Sequence, residues 1–304
     1  MRSAEFVETP VVVRAPATSA NLGPGFDALG LAWSWYDEVE IAVVGSGLAI
    51  EVEGEGAGAV PRDERHLVLR SMRAAFDAMG SQPPAGLALR CRNRIPHARG
   101  LGSSAAAIVS GVVAARALVS DGSSRLDAPN ALRLAATLEG HPDNVAACLL
   151  GGLTVAWSDD AARAVSLSPT VRAVALIPPD PVSTAVARGL LPERVPHVDA
   201  ARNAGRAALL VAALTSGSTT SEVLLAATED RLHQAYRAPA MAESYALVQR
   251  LRAEGTAAIV SGAGPTVVAL LPPNVDPERV ATSTPPGWRC RTLDVDHRGA
   301  GVGE

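Results

Sequence analysis

Residues 94–111, Arg-Ile-Pro-His-Ala-Arg-Gly-Leu-Gly-Ser-Ser-Ala-Ala-Ala-Ile-Val-Ser-Gly, restrict the fold more than any other stretch of the chain. Alternation at Leu87, Leu89 and Cys91 predicts a strand that feeds Pro96 and a loop with two close glycines, Gly100 and Gly102. A helix then opens at Ser103 and runs to position 120. It is apolar nearly all round, so other elements must wrap it. A buried helix that follows a glycine loop holds its free N–H groups in a fixed place, and such a terminus attracts an anion. Phosphate is the implied ligand. The chain has no lysine, which excludes a Walker-type loop with its Gly-Lys-Ser/Thr. Phosphate must be met by N–H groups, serine hydroxyls, arginine and a metal.

The 304 residues allow one large or two moderate domains, and two is the expectation. A net charge of −4 with scattered arginines leaves no basic footprint, which argues against nucleic acid or an anionic membrane as partner. The three cysteines, Cys91, Cys148 and Cys290, are isolated and fit thiols in a reducing compartment, with no zinc site. Glu5 and Glu8 without an apolar run are not a signal peptide, and the longest apolar runs, such as 207–214, are too short to cross a bilayer. A soluble cytoplasmic protein is expected.

Along the chain, residues 11–13 read as a short strand that Pro16 turns into a loop through Asp27. Residues 28–44 read as a pair of strands around Trp35-Tyr36-Asp37, and 48–53 as a half-buried strand, all antiparallel in character. Residues 65–79 have helical spacing and Gly80 stops them. Asp127 caps a helix through Leu138, and Glu139-Gly140-His141-Pro142-Asp143-Asn144 breaks it before another apolar helix, 145–150. Two carboxylates and an imidazole beside buried helices are costly unless paired or bound to something. A strand over 153–157 and a solvated turn at 158–160 close the first half. The second half reads as a strand over 171–177, helices over 198–214, 222–234 and 239–253, strands over 257–260 and 267–271 joined by Ser261-Gly262-Ala263-Gly264-Pro265-Thr266, and a strand over 289–295. The glycine-rich tail, 297–304, reads as disordered.

Three segments carry more turn chemistry than a turn requires. Pro-Ala-Thr-Ser-Ala-Asn-Leu-Gly-Pro-Gly-Phe-Asp at 16–27, Gly-Leu-Gly-Ser-Ser-Ala-Ala at 100–106 and Ser-Gly-Ala-Gly-Pro-Thr at 261–266 resemble, in order and spacing, the three motifs of the small-molecule kinase superfamily of galactokinase, homoserine kinase, mevalonate kinase and phosphomevalonate kinase. Asn-Leu-Gly-Pro-Gly-Phe-Asp together with Glu-Gly-His-Pro-Asp-Asn resembles the homoserine kinases in particular. The resemblance spans almost the whole chain. It implies an α+β, two-domain fold: an N-terminal ATP-binding domain of the ribosomal-protein S5 type over 1–160 and a ferredoxin-like C-terminal domain over 161–296, with the active site between them. It also implies ATP-dependent phosphorylation of L-homoserine to O-phospho-L-homoserine in threonine biosynthesis, Mg²⁺ as metal, and, since family members are often dimers, a homodimer.

By that resemblance Pro96, Arg99, Gly100, Leu101, Gly102, Ser103, Ser104 and Ala105 form the ATP-binding segment, while Ser104 and Glu139 hold Mg²⁺. Asn21, Asp27, Asp143 and Asn144 are the catalytic candidates, and His141, Thr184, Arg188 and Arg237 bind substrate. An acid suits the homoserine ammonium and two guanidinium forks suit its carboxylate. Gly262, Ala263 and Gly264 form a turn expected to pack on the phosphate loop. Asp27 or Asp143 could take the hydroxyl proton, or the proton could pass to the phosphate, which is the route favoured here. The rival readings are another kinase of the superfamily, acting on a sugar, on mevalonate or on a phosphorylated alcohol, and a non-catalytic relative that only binds the small molecule. Neither a sugar nor mevalonate has both charges that Asp27 and the two arginines are equipped to meet.

Overall fold

The computed structural model describes residues 5–303, and two sheets organise them. The first comprises β1 (Val11–Asn21), β2 (Gly25–Val44), β3 (Gly47–Gly54), β4 (Gly86–Asn93), β5 (Leu153–Ser158), β6 (Ala162–Leu167) and β11 (Gly301–Val302). Its order is β11-β1-β2-β4-β3, with β5 pairing the start of β2 and β6 pairing β5. The second comprises β7 (Arg172–Ile177), β8 (Ala257–Val260), β9 (Val267–Leu271) and β10 (Arg289–Asp294), antiparallel in the order β10-β7-β9-β8. Helices α1 (Leu67–Ala78), α2 (Ser103–Leu118), α3 (Gly122–Arg125), α4 (Ala128–Glu139) and α5 (Asp143–Leu150) belong to the first half. Helices α6 (Thr184–Gly189), α7 (His197–Thr215), α8 (Ser221–Ala227), α9 (Gln234–Arg237) and α10 (Ala242–Ala253) connect β7 to β8, and α11 (Glu278–Ala281) connects β9 to β10. The second sheet thus follows the ferredoxin-like β-α-β-β-α-β plan.

The all-round apolar helix behaves as its sequence requires. In α2, Ile108, Val109, Val112, Ala114, Ala115 and Leu118 are essentially inaccessible, packed against α1, α4, α5 and β1. The continuous apolar run of β7 has the same cause. Ala173, Ala175 and Ile177 join the main core while Val174 and Leu176 face a second cluster under α10, so both faces of this strand are covered. Asp127 caps α4 as expected, accepting from the Asn130 N–H at 2.9 Å.

Several expectations are corrected. β1 does not stop at Pro16 but continues to Asn21. Proline is tolerated there because the β1–β2 register shifts between Pro16 and Ala17, so its missing N–H falls at an irregularity and beyond the pairing of β11 with Val13 and Arg14. The same shift absorbs the supposed turn at Trp35-Tyr36-Asp37, and residues 25–44 form one long strand. β3 is parallel to β4, joined through the crossover helix α1. The helix expected over 222–234 ends at Ala227, because the Asp230 carboxylate takes the N–H groups of Leu232, His233 and Gln234 and offers the backbone an alternative to the helical ladder. β6 carries the first sheet past position 160. The tail expected to be disordered is ordered as far as it is described: the Ala300 N–H donates to the Cys148 carbonyl at 2.7 Å and β11 adds to the edge of β1, with Glu304 outside the described residues. Among the described residues no helix is long and apolar enough to cross a membrane.

Candidate active site

A cleft of about 260 Å³ receives side chains from both halves of the chain, and its two ends differ in chemistry. At one end is the glycine loop. Gly102 is left-handed, with φ 72°, and a Cβ there would lie 1.9 Å from the Thr18 hydroxyl; both conformation and space demand glycine. Gly100, with φ 73°, brings the loop so close to the third motif that a Cβ would meet the Ser261 carbonyl oxygen at 2.2 Å. The Ser261 hydroxyl donates to the Gly100 carbonyl at 2.6 Å, so the third turn packs backbone to backbone on the loop, and its Gly262 and Ala263 also line the cleft. Ser104, in the first turn of α2, donates to Glu139 at 2.6 Å. Burial pushes the Glu139 carboxyl up, and the Ser104 hydroxyl and His141 partly offset that. A hydroxyl and a carboxylate converging at a helix N-terminus are hard oxygen donors of the kind that would suit a magnesium ion.

At the other end charged side chains from distant segments meet. Arg188 of α6 grips Asp27 with two parallel hydrogen bonds of 2.8 and 2.9 Å. That carboxylate raises Arg188 further, while burial and the nearby Arg188 push Arg237 down. The Phe26 ring lies against both guanidiniums, 5.7 Å from the Arg188 Cζ and 5.3 Å from that of Arg237. Asn21, left-handed with φ 67°, donates to the Gly262 carbonyl at 2.9 Å and accepts from the Asp27 N–H at 3.0 Å, which fixes the turn that carries Asp27.

The helix break between α4 and α5 joins the two ends. His141 donates through Nδ1 to the buried Asp143 carboxylate at 2.8 Å, and this bond raises His141 above its ordinary value. The same Asp143 oxygen accepts from the Asn144 N–H at 2.7 Å. Asn144 in turn accepts from the Thr18 hydroxyl at 2.8 Å.

Most of the candidates therefore share one cleft, with Thr184 on its wall beside Arg188. Leu101 and Ala105 are buried behind the loop and present only backbone, and Pro96 is buried as well. Gly264, φ 84°, packs against Met241. Arg99 donates to the carbonyls of His97, Pro178 and Pro179, tying the loop to the second half of the chain rather than lining the cleft. Sequence reasoning missed a second cavity of about 240 Å³, which shares Ser103 and Ser104 with the first and is lined by Asp37, His66, Asn93 and His97. Asp37 is buried and accepts from the N–H groups of Arg94 and Ile95, at the entry to the glycine loop, and burial pushes it up to about 6. No local pattern marks it: it is one acid in an alternating strand.

Residues 66–152 match the family described as GHMP kinases N terminal domain, and residues 210–283 match GHMP kinases C terminal. A homoserine kinase of Streptomyces avermitilis is 57% identical over 99% of this chain and 98% of that protein. The chain belongs to the GHMP kinases. A homoserine kinase of Clavibacter michiganensis is 50% identical over 99% of this chain and 96% of its own. The crystal structure of a homoserine kinase from Cytophaga hutchinsonii superposes with a TM-score of 0.82 at 26% identity, covering 99% of both chains. This GHMP kinase has the two-sheet architecture of that structure as well as the family's sequence.

Proposed function

We propose that this GHMP kinase transfers the γ-phosphoryl group of ATP to the side-chain hydroxyl of L-homoserine, forming O-phospho-L-homoserine. One observation carries the reading: Asp27, Arg188 and Arg237 share a cleft with the Ser104–Glu139 pair, so a carboxylate-bearing, ammonium-bearing alcohol can lie between charges of the right sign and the phosphate loop. The homoserine kinase relatives support it over almost the full chain.

ATP presents its phosphates to the N-terminus of α2 and the N–H groups around Gly100–Ser104, and its nucleoside occupies the second cavity, which continues from Ser103 and Ser104. Ser104 and Glu139 would hold Mg²⁺, which would neutralise charge on the phosphate oxygens. Asp27 meets the substrate ammonium, and Arg188 and Arg237 its carboxylate. Binding therefore exchanges the Asp27–Arg188 pair for two pairs with substrate. His141, Asp143 and Asn144 surround the reacting hydroxyl. Asp143 already accepts from His141 and from both the N–H and the side-chain amide of Asn144 on one oxygen, and Asp27 is committed to charge pairing; in this reading neither serves as base, and the hydroxyl proton passes to the phosphate. The protein's task is alignment and charge stabilisation.

A coupled assay of ADP release with homoserine, mevalonate, galactose and shikimate tests this. Homoserine-dependent release is expected. Its absence sinks the proposal, and homoserine binding without release assigns the chain to non-catalytic binders.

A further inference from the structure

His233 is fully buried and hydrogen-bonded at both ring nitrogens. Nε2 lies 2.8 Å from the Gly23 carbonyl oxygen, which can only accept, so Nε2 carries a proton. Nδ1 lies 3.2 Å from Nη1 of Arg237, which can only donate, so Nδ1 is bare. One neutral tautomer satisfies both contacts. An imidazolium would turn a second N–H against a guanidinium. Burial and Arg237 disfavour that charge, against the opposing pull of Asp230, 3.7 Å away, and of Asp27. The ring cannot drift, because Asp230 accepts from the His233 N–H, the neighbouring Gln234 side chain accepts from the Val260 N–H at 2.6 Å, and Phe26 lies over the imidazole at 5.3 Å.

From these contacts we infer that His233 is a positioning residue for the amino-acid end of the cleft: as the Nε2–H imidazole it fastens the Arg237 guanidinium to the turn that carries Asn21 and Asp27. The inference rests on the proposed function in one respect, that Arg237 meets the substrate carboxylate. The anchoring runs in a closed ring. Arg237 Nη1 also donates to the Gly262 carbonyl at 3.2 Å, and Asn21 donates to that same oxygen at 2.9 Å. Turn 21–27, segment 230–237 and the third glycine motif are thus held together through His233 and Arg237. This accounts for an asymmetry between the two arginines. Arg188 is free to close on Asp27 and does so, whereas Arg237 is held back from that carboxylate and its Nε has no hydrogen-bond partner among the described residues. The anchored arginine stays ready for the substrate carboxylate while the other is occupied.

Two conservative variants separate the two bonds. In His233→Gln the amide NH2 can reach the Gly23 carbonyl, which carries the amide oxygen away from the Nδ1 position that faces Arg237; in His233→Asn an acceptor remains near Arg237 but the reach to Gly23 is lost. Each is expected to raise KM for homoserine, roughly 10- to 100-fold for Gln, which takes from a charged donor one of its two acceptors, and less for Asn. KM for ATP should stay within about twofold, since the phosphate loop does not touch His233. An equal rise in both KM values, or no rise in either, overturns the inference. Nitrogen-15 NMR of the imidazole in the wild-type protein tests the same point without a variant or turnover. A protonated Nε2 with a bare, hydrogen-bonded Nδ1 is expected, and a proton on Nδ1 overturns it. If the wild-type protein released no ADP with homoserine, the substrate reading would fall while the tautomer measurement would still decide whether His233 anchors Arg237.

Discussion

Under the proposed function the two ends of the cleft solve the same problem, binding a charged group, in opposite ways. The phosphate end uses backbone: a left-handed glycine at each side of Leu101, a buried helix behind them and a neighbouring turn packed directly on the loop. Its shape is set by close packing: neither Gly100 nor Gly102 has room beside it for so much as a Cβ. The amino-acid end uses long side chains from segments far apart in sequence, and two of its charges, Asp27 and Arg188, satisfy each other. Preorganisation is what a phosphate common to many kinases demands. An exchangeable ion pair suits a small zwitterion, which would replace each half of the pair with its own opposite charge.

The comparison breaks first, and by the largest margin, at Glu139. Glu139→Gln keeps an acceptor for the Ser104 hydroxyl but removes the charge. A loss of roughly 10²- to 10³-fold in kcat is expected, together with a higher Mg²⁺ requirement, read by titrating the metal at saturating ATP. Retention of activity within tenfold would mean that the metal is held elsewhere.

Asp37 gives the next effect, on stability. Its carboxyl is raised from 3.8 to about 6 in the folded protein, burial outweighing the two N–H groups it accepts. The folded state therefore binds the proton more tightly than the unfolded chain, and stability falls as pH rises from about 4 to about 6, then stays level. The span is worth about 3 kcal/mol at most. Asp37→Asn keeps an oxygen for both N–H groups, which donate to a single carboxylate oxygen, so denaturant melts at pH 8 should show a more stable protein and a shallower pH slope between 4 and 6, the remainder coming from groups such as Glu139. An unchanged slope would place the titration on another group.

At the amino-acid end, Arg188→Met should leave melting almost unchanged, since a half-exposed ion pair contributes about 1 kcal/mol or less. It should nonetheless raise KM for homoserine roughly 10- to 100-fold with KM for ATP constant. A large loss of stability would recast the pair as structural and remove the contrast between the two ends.

The same contrast explains what could be read from sequence. Glycines, helix caps and apolar periodicity are local signals, so the loop, α2, α4 and α5 were legible, and the order of three motifs carried the fold. Features set by a distant partner were not. Pro16 inside β1 is explained only by a register shift against Trp33 and Tyr36. The ordered tail is explained by hydrogen bonds to Cys148 and β1. That Asp27 and Arg188 would pair with each other, across 161 positions, was not visible even though both were named as site residues. His233 and Gln234 lay beside Arg237 in plain view, but their partners, Gly23 and Val260, are set by the fold.

The smallest effect bears on the junction between the two ends. Asp143 holds His141 and the Asn144 N–H in the first turn of α5, and its hydrogen bond, with its charge behind it, is the main reason His141 is raised. Asp143→Asn can keep the N–H contact, so kcat at saturating substrate should fall by less than about 100-fold, the low end of what loss of a true general base brings. In the wild type, the stability that His141 gains from Asp143 is fully present below its ordinary value of 6.5 and is lost as pH rises through its raised folded value. In the variant, the His141 imidazole followed by NMR should titrate at lower pH and that sloping segment of the stability curve should flatten. Complete loss of turnover with homoserine binding intact would instead make Asp143 the base, and the proton would then leave through the protein before the phosphoryl group arrives.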